Sequence, residues 1–190
     1  IYCTKNKIND LNQNLEKISL NWNKTKFFKA KKLEQLSRYQ SFDSTEFSLE
    51  PDLKESPGCL RDFQTALWVL EHCFEIKKLE DCIKSKLFNK TEIENIKRSY
   101  DHIKSLRFIL NLNGNSNRIS FENQLLLAKK SKLKSSKKSS AVEKFMRAFF
   151  LHASNLSDFN ELVFQAYEDQ LTIFKKPYSR DFYFFKDRLG

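Results

Sequence analysis

The sequence predicts an all-α protein, and three observations predict it. Only three Gly and three Pro interrupt 190 residues. Apolar residues recur at three- and four-residue steps over long stretches, the spacing that lines them up on one face of a helix. No convincing run of alternating apolar and polar residues marks a strand. Helices that each carry one apolar stripe bury it against one another, so the expected architecture is an antiparallel helical bundle.

The elements follow in order. A first helix is expected from about Lys7 to Ile18, and a second from about Thr25 to Tyr39 carries Phe27, Phe28, Leu33 and Leu36. An extended segment, Phe42 to Leu53, is closed by Lys54-Glu55-Ser56-Pro57-Gly58. Ser56 and Pro57 read as a helix start, because proline has no N–H to lose in a first helical turn. The helix that follows places Leu60, Phe63, Leu67, Leu70 and Phe74 on one stripe. Arg61, Gln64, Thr65 and Trp68 form the neighbouring ridge. Asn89 with Glu92 makes a capping box for a long helix with the stripe Ile93, Ile96, Tyr100, Ile103 and Leu110, stopped by Asn113-Gly114. A shorter helix is expected from Phe121 to Lys129. Ser140 with Glu143 is a second capping box, opening a helix with Val142, Phe145, Met146, Phe149, Phe150 and Ala153 on one face. Ser157 reads as the cap of a further helix carrying Phe159, Leu162, Val163, Ala166, Tyr167 and Leu171, ended by Pro177.

Forty per cent of the residues are hydrophobic, enough for a packed core. No window holds 18 uninterrupted apolar residues, which excludes a transmembrane helix, and Ile1-Tyr2-Cys3-Thr4-Lys5 does not resemble a signal peptide. The chain does not begin with Met, and Met146 is its only one, so a segment of a longer polypeptide is expected. The four cysteines, Cys3, Cys59, Cys73 and Cys82, form no closely spaced pair. Thiols kept reduced in the cytoplasm are expected, rather than a zinc site.

The net charge of +10 points on its face to nucleic acid. The run from Lys129 to Ser140 holds six Lys and no acid, and elsewhere the signs are mixed. Such a run reads as a solvated loop, and no nucleic-acid or membrane partner is expected.

Self-contained catalysis has no signature here. There is no phosphate-cradling glycine loop, no nucleophile elbow, and no Asp-x-Asp pair to hold magnesium. His72, His102 and His152 are far apart in sequence, each on an expected helix, and read as packing or surface residues. Asp101-His102 reverses the His-Asp dipeptide of metal phosphohydrolases. No catalytic residue and no metal ligand is assigned within the segment.

The informative stretch is Leu49 to Asp62, with two Pro, a Gly, and charges set between leucines. Lys54 and Arg61 flanking a helix N-terminus would suit phosphate oxygens. On the residues alone the same stretch reads first as a capped turn, with Glu50, Asp52 and Glu55 favoured by the helix dipole and Arg61 and Asp62 in local ion pairs.

This stretch resembles the signature LEPxLKExPGGLRDxQxxxW of bacterial protein-PII uridylyltransferase/uridylyl-removing enzymes. Leu49, Glu50, Pro51, Leu53, Lys54, Glu55, Pro57, Gly58, Leu60, Arg61, Asp62, Gln64 and Trp68 stand at matching positions. It is also similar to the DxKxxxGGIRExE element of glutamine-synthetase adenylyltransferases. Upstream, Phe27-Phe28-Lys29-Ala30-Lys31 through Arg38 resembles FFxAKxxEQxxR. Downstream, Leu106-Arg107 to Leu112 and Arg118 to Gln124 resemble LRxxLHxLxGRxxDRLxFxxQ, and Val142 to Arg147 resembles VERFMRRYY. Two departures stand out. Cys59 replaces the second glycine of the Gly-Gly pair, where a positive φ would be strained. The loop from Asn111 to Asn117 also lacks the acidic residues usual before Arg118.

The resemblance implies a nucleotidyltransferase-associated helical domain of the substrate-binding type. It implies residues 1–40 adjoining an upstream nucleotidyltransferase domain, 41–176 as the helical domain, and 177–190 as a linker toward a hydrolase domain. The whole enzyme would use UTP and Mg2+ in the cytoplasm to uridylylate a tyrosine of the PII signalling protein, and would also remove the group; the segment itself holds no cofactor. Its partners would be PII, UTP and the flanking domains. Lys54, Gly58, Arg61, Asp62 and Gln64 are the implied phosphate- or nucleotide-binding residues. Lys54 and Arg61 would face the triphosphate, Asp62 would orient Arg61, and Gly58 would let backbone approach the nucleotide. The alternative is a non-catalytic scaffold or docking module for PII or for neighbouring domains.

Overall fold

A computed structural model describes residues 22–41, 48–114, 116–136 and 138–173, with the backbone of 184–185 and 188–189. Among them are six helices: α1 (Lys24–Ser41), α2 (Leu60–Phe74), the single turn α3 (Asp81–Lys84), α4 (Lys90–Gly114), α5 (Phe121–Lys130) and α6 (Ala141–Ile173). They pack into an all-α bundle. The expected helix from Lys7 to Ile18 and the stop at Pro177 lie outside the described residues. Strand structure among the described residues is limited to a pair of two-residue strands, β1 (Phe184–Phe185) and β2 (Arg188–Leu189), and one bridge between Asp52 and Arg118.

Helix starts follow local side-chain chemistry. Both capping boxes form: Asn89 N donates to Glu92 Oε2 at 2.7 Å while Glu92 N donates to Asn89 Oδ1 at 2.9 Å. Ser140 N and Glu143 Oε2 pair at 2.8 Å, and Glu143 N reaches Ser140 Oγ at 3.1 Å. Each box satisfies two N–H groups that have no partner inside the helix. Ser56 does not start α2. Its hydroxyl accepts from Asp52 N at 2.9 Å, which closes a turn ahead of the helix, and α2 begins four residues later at Leu60.

Ser157 does not cap a helix either. An N-cap residue sits in extended backbone, whereas α6 runs unbroken through this position for 33 residues, about 50 Å at 1.5 Å per residue. Its buried stripe, Phe145, Phe149, Ala153, Leu156, Phe159, Val163 and Tyr167, keeps helical spacing across Ser157. Along this one helix α2, α4 and α5 are assembled. Phe63 of α2 stacks on Tyr100 of α4 with centroids 4.3 Å apart and meets Phe159 of α6 at 5.7 Å. The α1 helix lies against α2, and its Phe28 sits between Phe164 and Tyr167 of α6 at 5.2 and 4.8 Å. Leu33 and Leu36 share the α1 sequence pattern but stay exposed.

Candidate functional site

The Leu49–Asp62 stretch is held between α1, α5 and α6. Leu53 N donates to Asn117 O and Ile119 N to Pro51 O, both at 2.8 Å. Glu50 accepts from Phe121 N at 3.0 Å and pairs with Arg118 at 3.4 Å, and Gln124 Nε2 donates to Leu49 O at 2.8 Å. Arg118 thus meets an acid from Glu50, in place of the acids that its own loop lacks. Asp52 Oδ1 accepts from Lys54 N and Glu55 N, each at 2.8 Å, and this turn presents Lys54 and Glu55 at the rim of α2.

Within this stretch the positive φ falls on Gly58, at +71°. A Cβ there would stand 2.3 Å from Ala153 O. The glycine therefore lets the loop lie against the backbone of α6. Cys59 has φ −102°, an ordinary extended value, so its replacement of a glycine introduces no strain. Its thiol is fully buried, and burial pushes its pKa well up.

Asp62 does not orient Arg61, nor do the two form an ion pair. The Asp62 carboxylate points into the protein, where it accepts from Arg38 Nη2 at 2.5 Å, Tyr39 Oη at 2.6 Å and Gly58 N at 2.6 Å. Its side chain is 0% exposed. Burial pushes this carboxyl above the usual carboxylate range, with the charge of Arg38 and the hydrogen bonds from Tyr39, Arg38 and Gly58 pulling against it. Arg38 Nη1 also donates to Glu55 O at 2.7 Å, and Asn160 Nδ2 of α6 donates to Asp62 O at 3.0 Å. Asp62 is the knot that ties the loop to α1 and α6. Arg38 and Tyr39 were missed as site residues. One signal was available: Tyr39 is eleven residues, three helical turns, beyond Phe28, which puts both on the buried face of α1.

The surface ridge keeps Arg61, Gln64 and Trp68. Thr65 leaves it, being buried with its hydroxyl on Arg61 O at 2.8 Å. Lys54 Nζ and Arg61 Nη2 converge on the same Glu55 oxygen, at 3.1 and 3.4 Å, and Gln64 Oε1 accepts from Arg61 Nη1 at 3.2 Å. Burial pushes the Glu55 carboxyl up, but the hydrogen bonds and charges of Lys54 and Arg61 outweigh it and hold it below its ordinary range. The first N–H groups of α2 are already satisfied: Leu60 N by Leu53 O, Arg61 N by Lys54 O, and Asp62 N by Cys59 O. The helix end therefore offers phosphate no free amides there, and anion binding falls to the side chains.

The fold also joins two histidines that are far apart in sequence. His102 of α4 and His152 of α6 stack with centroids 4.2 Å apart, and Ser99 Oγ lies 3.0 Å from His152 Nδ1. Among the described residues no cluster of three or more His, Cys, Asp or Glu side chains could hold a metal ion, and no helix is long and apolar enough to cross a membrane.

Fold and site together define an all-α domain whose surface beside α2 brings Lys54, Arg61 and Gln64 together. The chain belongs to the PII-uridylyltransferase family: the family profile described as GlnD PII-uridylyltransferase matches residues 26–164. It is similar to the bifunctional uridylyltransferase/uridylyl-removing enzyme of Hydrogenovibrio crunogenus, 30% identical over 84% of this chain and 19% of that protein. The enzyme of the same name from Haemophilus influenzae is 34% identical over 79% of this chain and 18% of its own length. That from Nitrosococcus oceani is 31% identical over 80% and 17%. The chain thus spans under a fifth of these relatives. No solved structure matches it.

Proposed function

We propose that this chain is the helical wall of the transferase cleft in a cytoplasmic bifunctional uridylyltransferase/uridylyl-removing enzyme. That enzyme would move UMP from UTP to a tyrosine of the PII protein and remove it again. The observation that carries the reading is the convergence of Lys54 and Arg61 on one carboxylate oxygen of Glu55. On this reading a phosphate oxygen of UTP takes the place of that carboxylate oxygen. Two cations on one such oxygen stabilise the charge that grows on departing pyrophosphate, and Gln64 holds the guanidinium in place. Asp62 and Gly58 act indirectly, by fixing the loop that carries Lys54. Among the described residues no cluster of three or more His, Cys, Asp or Glu side chains offers a magnesium site. The metal belongs on this reading to carboxylates outside the segment, and no step here runs through it.

The test is Arg61→Ala in the full-length enzyme. Loss of a charge-stabilising donor lowers turnover by about 10²- to 10³-fold. The half-buried Arg61–Glu55 pair contributes only about 1 kcal/mol or less to stability, so the melting temperature stays nearly constant. Unchanged transfer at unchanged melting temperature overturns the role. A second reading, a docking scaffold, draws on the fact that both cations are paired within the chain. Under it the variant melts lower while each folded molecule turns over normally.

A further inference from the structure

Trp68 lies seven residues beyond Arg61 on α2, about 10 Å along the axis. It walls a cavity of about 400 Å³ between α1 and α2, lined also by Trp22, Phe27, Lys31, Glu71 and His72. Phe27 is buried and packs on His72 with centroids 4.3 Å apart, which makes an aromatic floor. His72 Nε2 lies 2.9 Å from Trp22 O and pins the rim. Trp22 meets Phe27 edge-on at 5.3 Å and remains 50% exposed. Lys31 Nζ stands 4.5 Å over the Trp68 ring, and the Arg61 guanidinium lies 6.0 Å from the same ring. Trp68 is therefore the element shared by an aromatic cavity and the cationic ridge.

We propose that this cavity binds the nucleobase of the nucleotide whose phosphates meet Lys54 and Arg61. The position of the phosphates rests on the function proposed above; the cavity's fitness for a base does not. Aromatic walls stack on the flat faces of bases, and a cavity of this size lies in the range of small-molecule sites. A uracil edge alternates carbonyl acceptors with a ring N–H donor. Lys31, whose ammonium pairs with Glu34 at 2.7 Å, has further N–H donors for the carbonyls, and the Glu71 carboxylate supplies an acceptor for the N–H. The Arg61 guanidinium and the Trp68 ring, 6.0 Å apart, bracket the place of the ribose between phosphate and base.

Both tryptophans of the chain line this cavity, and only Trp68 also neighbours the ridge through Arg61, so the Trp68→Phe variant, which keeps Trp22, reports on the cavity alone. The experiment titrates the 190-residue chain with uridine, UTP and inorganic triphosphate, following fluorescence and, in parallel, heat of binding. Uridine and UTP are expected to quench the Trp22 indole in Trp68→Phe, and triphosphate to bind without quenching it. Trp68→Ala is expected to weaken uridine and UTP by about fivefold to a hundredfold, with triphosphate affinity kept. Quenching by uridine with no triphosphate binding sustains the base cavity and sinks the phosphate ridge instead. UTP binding no tighter than triphosphate, with indole fluorescence unmoved, overturns the base cavity and leaves the ridge standing. Silence of the indoles toward every probe also overturns it. Should Trp68→Ala fail to fold, the wild-type comparison and Trp68→Phe decide between the same outcomes.

Discussion

Replacing Asp62 with Ala is expected to be the most damaging single change around the site. The carboxylate is 0% exposed, and its ion-pair partner Arg38 has a side chain only 9% exposed. Removing it strands a buried guanidinium whose Nε already has no partner among the described residues, and leaves Gly58 N without its acceptor. Breaking one side of a buried ion pair costs about 3–5 kcal/mol. That is a large share of a whole domain's stability, about 5–15 kcal/mol. At about 2–4 °C per kcal/mol for a chain of this size, the melting temperature should fall by roughly 6–20 °C. Urea unfolding followed by circular dichroism at neutral pH measures the free-energy loss, and thermal unfolding the shift in melting temperature. A double variant, Asp62→Leu with Arg38→Leu, should lose far less than the two single losses added together, because no charge is then left buried alone. A loss under about 1 kcal/mol for Asp62→Ala, the size of a solvated surface pair, refutes the reasoning.

Gly58→Ala forces a Cβ to 2.3 Å from Ala153 O at φ +71°. The left-handed backbone alone costs about 1–2 kcal/mol, so the melting temperature should drop clearly; no drop would mean that the loop does not lie on α6 as described. His102 gives a pH dependence. Burial, with the charge of His152 second, lowers its pKa from 6.5 to about 4. Above pH 6.5 its neutral form is compatible with both states and its stability contribution is fully present. As pH falls toward 4 the unfolded chain takes up a proton that the folded chain resists, and that contribution is lost. Melting temperatures across this range should fall less steeply for His102→Asn than for wild type, and parallel slopes would contradict the assignment.

Local chemistry made the helices legible in the sequence. Asn89 and Ser140 each announce a helix through a partner three residues on, and the stripe of α4 follows from spacing alone. The start of α2 was misplaced because Ser56 and Pro57 resemble a cap, yet the hydroxyl is taken by Asp52 N. The division at Ser157 failed for a similar reason: a serine suited to a cap sits mid-helix when the apolar stripe continues through it. Contacts between distant segments left no local trace. Asp62 reads as a neighbour of Arg61, although successive helical residues point about 100° apart, and its partners Arg38 and Tyr39 come from another helix. His102 and His152 stack only because α4 and α6 pack together. Lys54, Arg61 and Gln64 do share one surface, while Gly58 and Asp62 turn inward to hold it.

The affinity of the chain for inorganic triphosphate, measured by calorimetry before and after Glu55→Ala, tests the central claim most directly. If Lys54 and Arg61 hold Glu55 in the place of a phosphate oxygen, removing that carboxylate frees both cations. Triphosphate should then bind between about twofold and fivefold more tightly, the worth of a competing half-exposed pair, and Arg61→Ala should weaken it. Affinity that is unchanged or lower after Glu55→Ala would show that the ridge is held for structure and does not receive phosphate.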